Sequence, residues 1–77
     1  MVRIERIELT ADVARYKYFP EDSEECGIVT LDRLSGERSI EKTVSGYGAN
    51  YPAHALRRIE EYQKNGIFPQ KDVVAWY

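Results

Sequence analysis

Apolar and polar positions fall into two patterns along this chain. Between Asn50 and Gly66, NYPAHALRRIEEYQKNG, apolar residues recur with the period of a helix, while elsewhere they alternate as strands do. At about 100° per residue, Tyr51, Ala55, Leu56, Ile59 and Tyr62 share one arc, and Arg57, Glu60, Glu61 and Lys64 lie opposite. Arg57–Glu61 and Glu60–Lys64 are opposite charges one turn apart. Asn50 is the expected N-cap, and Pro52 falls in the first turn, where a missing N–H is harmless. Gly66 is expected to take the left-handed closing conformation, with Ile67 making the hydrophobic contact and Pro69 preventing continuation.

The rest reads as strands and turns. Val2 to Leu9 is a first strand whose alternation slips, which predicts a bulge near Glu5–Arg6. Val13 to Phe19 is the second, with Ala14, Tyr16 and Tyr18 on one face and Val13, Arg15, Lys17 and Phe19 on the other. An acidic connection, Pro20 to Glu25, leads to a third strand over Cys26 to Leu34. Ser35-Gly36-Glu37 supplies a hairpin turn into a fourth strand, Arg38 to Val44, and Val73 to Tyr77 reads as a fifth. Short turns favour antiparallel pairing. The expected class is therefore α+β: an antiparallel sheet of four to five strands, one amphipathic helix on one face, order β-β-β-β-α-β.

Seventy-seven residues predict one small domain, 1–77, whose 43% hydrophobic content is enough for a core. A net charge of −2, with acids and bases interspersed, disfavours general attraction to nucleic acid. The lone Cys26 offers no intrachain disulfide and fits a reducing compartment. MVRIERIEL has no apolar signal-peptide core, and no apolar run approaches the ~20 residues of a membrane span. A soluble, cytoplasmic protein without membrane contact is expected.

Candidate chemistry is sparse. Gly46, Gly48 and Asn50 precede the helix, where free N–H groups could meet a small anion, but the dinucleotide fingerprint lacks its third glycine, its place taken by Tyr51. His54 has like-charged Arg58 one turn on and no carboxylate arranged to orient it as a base. Cys26 follows acids, which oppose thiolate formation. Glu21, Asp22, Glu24 and Glu25 lack calcium-loop spacing. Arg15 and Lys17 interleave with rings in RYKYF, a conceivable single-stranded nucleic-acid surface, yet alternation puts them opposite Tyr16 and Tyr18. No catalytic, metal or cofactor residues are assigned.

The strands carry apolar residues on both faces, and one helix of ~24 Å covers only one of them. The open face, through Val13, Phe19, Ile28 and Trp76, or an unpaired edge strand, is thus the expected contact. The leading expectation is a non-enzymatic interaction module, a homodimer or the partner of another protein. Binding of single-stranded nucleic acid through Arg15 to Phe19, or of a small anion at the helix start, are the alternatives.

Overall fold

A computed structural model describes residues 1–76, and its element order is the one the pattern predicts. The elements are β1 (Val2–Leu9), β2 (Val13–Pro20), β3 (Gly27–Asp32), β4 (Arg38–Lys42), α1 (Asn50–Asn65) and β5 (Lys71–Val74). All strands pair antiparallel in one sheet, in the order β4-β3-β2-β1-β5. The four-strand meander is therefore extended on its β1 side by the strand that follows the helix.

Alternation along the strands decides what the helix covers. Val2, Ile4, Ala14, Tyr16, Tyr18, Val29 and Leu31 turn one way and are buried under Ala55, Leu56, Ile59 and Tyr62 of α1. Burying each Val, Leu or Ile is worth about 1.5–3 kcal/mol. The Tyr16 hydroxyl, enclosed here, donates to the Pro69 carbonyl at 2.7 Å. Burial first, and Asp72 nearby, push its pKa up to about 12, against the pull of Arg6. Gly27 makes room for a second ring: a Cβ there would lie 2.1 Å from the Tyr18 ring and 2.5 Å from the Lys42 carbonyl oxygen.

At the end of α1, Gly66 takes the left-handed conformation, φ 80°, and its N–H bonds the Tyr62 carbonyl at 2.7 Å. Other details differ from expectation. Asn50 is not the N-cap: Ala49 precedes the helix already in the right-handed region and makes no side-chain cap. That places Asn50 inside the first turn. Ile67 is 72% exposed; Phe68 is the residue that folds back, edge-on to the Tyr62 ring at 6.0 Å. The β1 irregularity falls between Arg6 and Glu8, at Ile7, not at Glu5–Arg6. Arg6 is kept in register because it exchanges backbone and side-chain hydrogen bonds with Gln70 and donates to the Phe68 carbonyl at 2.7 Å. Those same bonds start β5 at Lys71, two residues earlier than predicted, and it ends at Val74; Tyr77 lies outside the described residues.

Candidate interaction surface

The open face of the sheet is a lattice of charges. Arg15, at its centre on β2, grips the Glu41 carboxylate with two nitrogens at 3.1 and 2.7 Å and reaches Glu8 at 3.0 Å. Thr30 donates to the same Glu41 at 2.6 Å. The Arg15 fork, with Thr30, holds the Glu41 carboxyl below its ordinary pKa. Lys17 is flanked in register by Ile28 on β3 and Glu5 on β1. Phe19 pairs with Arg3, whose guanidinium lies 5.0 Å over its ring. Val13, Phe19 and Ile28 do share this face, each half-buried and set among those charges.

Trp76 does not join them. It leaves the sheet and stacks on His54 of α1, centroids 4.1 Å apart and planes 10° from parallel, with its edge toward Tyr51 at 5.3 Å. The expectation that Trp76 belongs to the open face is thereby corrected: it has the parity of Val74, which faces the helix. Arg15 and Lys17 lie together on the open face, while Tyr16 and Tyr18, the rings beside them in sequence, are buried beneath the helix. Gly46 has positive φ, 86°, in the loop before α1. Asn50 lines a polar hollow with Arg38, His54 and Arg57; Gly46 and Gly48 do not line it. Cys26 is a half-buried free thiol. Glu21 of the acidic loop accepts hydrogen bonds from the Met1 ammonium at 2.9 Å and the Tyr51 hydroxyl at 2.8 Å, which lower its pKa in that order. Among the described residues no three metal-binding side chains converge.

The sheet edges contrast with this charged face. Five strands spaced by ~4.8 Å span about 19 Å, whereas a helix with its side chains is ~10–12 Å wide. Helix α1 packs chiefly on β3 and β2, so both edges lie beyond its width. At β5 the gap is bridged. Arg58 donates to Asp72 at 2.8 Å, the Tyr62 hydroxyl donates to the same oxygen, and Phe68 and Val74 are buried alongside. Burial works to raise the Asp72 carboxyl, but Tyr62, the Val73 N–H and Arg58 outweigh it and hold the pKa low.

At β4 the gap stays open. All five residues of β4 are exposed, and Ile40, which pairs with buried Val29 and so faces the helix side, is 46% exposed. Between β4 and α1 runs a slot of about 290 Å³ lined by Arg38, Ser39, Ile40, Ala53 and Leu56. The polar hollow shares its Arg38 and Ala53 and adds Arg57 and Glu60. Arg38 donates to the Ala53 carbonyl at 3.0 Å and approaches Glu60 only to 3.7 Å. Neither Arg38 nor Ile40 stood out as a site residue in the sequence. The signal was there in the widths, since one helix cannot cover five strands, but which strand is left out depends on strand order.

Comparison with protein-family models, with curated proteins and with solved structures finds no match. No helix among the described residues is long and apolar enough to cross a membrane.

Proposed function

We propose that this chain is a non-enzymatic interaction module whose contact is the β4 edge and the slot beside α1, where it takes up an extended strand of another polypeptide. The observation that carries this reading is an edge strand, paired on one side only, with an adjoining apolar slot. An edge strand offers a row of backbone donors and acceptors, which give affinity, and a neighbouring pocket receives alternate side chains, which gives specificity. Ile40 over Ala53 and Leu56 supplies the apolar part. The open sheet face is the weaker surface, because Val13, Phe19 and Ile28 are separated by Arg15, Lys17 and Arg3, and Arg15 already has two carboxylates.

The test is cross-linking by position. A photoreactive side chain at Ser39 on the edge is expected to capture a bound polypeptide, whether a second copy or another protein, while the same group at Lys17 is not. Capture through Lys17 alone would return the contact to the open face.

A further inference from the structure

We infer that the β4 edge is built for an extended segment of a different protein in which an apolar residue is flanked, two positions away on the Arg38 side, by an acidic one; this rests on the strand-addition reading above. A strand added to β4 directs every second side chain to the helix side of the sheet. The one opposite Ile40 enters the slot over Ala53 and Leu56, which is apolar. Its neighbours on the same side meet the rim, where Arg38 has only a 3.7 Å approach to Glu60 and Arg57 makes no ion pair among the described residues. Lys42 pairs with Ile28 across a register shift and so belongs to the open face, as does Glu41, the acid within the strand, which is taken up by Arg15 and Thr30. The helix-side rim thus carries Arg38 and Arg57 against Glu60, a basic excess on a chain whose net charge is −2.

That charge selects against a second copy. A two-fold interface sets a patch against itself. Centred on Ile40, it would set Arg38 level with the partner's Lys42, which the register shift turns to the opposite face beside Ile28, so Arg38 would meet no acid of the second copy. It would also hold the two helices at least three strand spacings apart, ~14 Å, beyond the 8–10 Å at which helices pack.

The probe is a fluorescein-labelled peptide with the core glutamate-threonine-leucine-threonine-glutamate, against a control with lysines in place of both glutamates, followed by anisotropy. Saturable binding of the acidic peptide is expected. It should weaken about tenfold or more for the lysine control and for Ile40→Asp, and fall with added salt. Arg38→Glu should narrow the preference between the two peptides. Because the peptide swap needs no variant, misfolding of Ile40→Asp would leave the charge test intact. Equal binding of both peptides, or none up to about a millimolar, overturns the acidic occupant. A dimer by light scattering that Ile40→Asp dissolves would assign the edge to a second copy, overturning this occupant while keeping strand addition. Absence of peptide binding, of an Ile40-dependent dimer and of Ser39 cross-linking together removes both readings.

Discussion

At the β5 edge three residues are fastened: Asp72 to Arg58 and Tyr62, Gln70 to Arg6, and Phe68 edge-on to the ring of Tyr62. At the β4 edge a strand of similar length is fastened to its sheet neighbour and to the helix only through the Arg38 side chain. Both edges lie beyond the reach of a single helix, so neither is held by hydrophobic cover alone. Polar side chains close one of them; on the other, an apolar slot is left beside unpaired backbone. A bare edge is normally a liability that folded chains blunt; both edge strands here are short and charged, and β5 alone is latched to the helix through a carboxylate.

The largest effect is expected from loosening β4 itself. Gly27→Val would drive a side chain into the Tyr18 ring and the Lys42 carbonyl, and backbone cannot yield as a flexible side chain does. A loss of about 3 kcal/mol or more is expected in urea unfolding, with faster amide exchange in β4. An unchanged midpoint would mean the Tyr18 ring has room to move.

Unlatching β5 comes next. Asp72→Ala removes the acceptor for Arg58 and for the buried Tyr62 hydroxyl, at a cost of about 2–3 kcal/mol. Exchange should accelerate at Val73 and Val74 and stay unchanged in β4. If both edges loosened together, they would be one cooperative unit and the contrast would fail.

The pH dependence follows from the same latch. The folded Asp72 pKa is depressed, so its contribution is whole above the unfolded value near 4 and is lost as pH falls through the folded one. Asp72→Asn should flatten that acid limb. Surface shares from Glu41 and Glu21 should fade in about 0.5 M salt, and the partly buried Asp72 share should persist. On the alkaline side the Tyr16 pKa is raised to about 12, so stability present below about 10 is lost as pH climbs through 12. Melting temperatures across both limits, for parent and variant, test the signs.

The smallest effect on stability is reserved for the proposed contact. Ile40 is 46% exposed, and Ile40→Ala should shift unfolding by less than about 0.5 kcal/mol. A loss above about 1 kcal/mol would make Ile40 a core residue rather than a contact.

Much of the fold was legible because it is written locally. Alternation in Val13 to Phe19 correctly separated Ala14, Tyr16 and Tyr18 from the open face, and Gly66 ended the helix as its φ requires. What escaped notice depends on partners distant in the chain. The β1 slip moved to Ile7 because Gln70 holds Arg6, and Trp76 left the sheet for His54. Gly27 reads as an ordinary strand residue until Tyr18 is placed across from it. The open face looked apolar from Val13, Phe19 and Ile28; it is the cross-strand meeting of Arg15 with Glu8 and Glu41 that makes it polar. For the candidate contact, Ile40 was visible as an apolar strand position, but its exposure follows from β4 being last in the strand order.

The pairing of Val2 with Val74 joins nearly opposite ends of the chain. Adjacent strands of the meander close short loops, whereas this pairing waits for the helix and for the last strand, and closes the longest loop the fold contains. During synthesis β1 emerges before the other four strands, and its second side is paired only once β5 has followed. Throughout synthesis the nascent sheet therefore has a second bare edge at β1, without the charges and side-chain latch that later cover it. The step most exposed to misassembly is the one that fastens β5, and slowing it with Asp72→Ala should raise the yield of aggregated chain on refolding more than Ile40→Ala does.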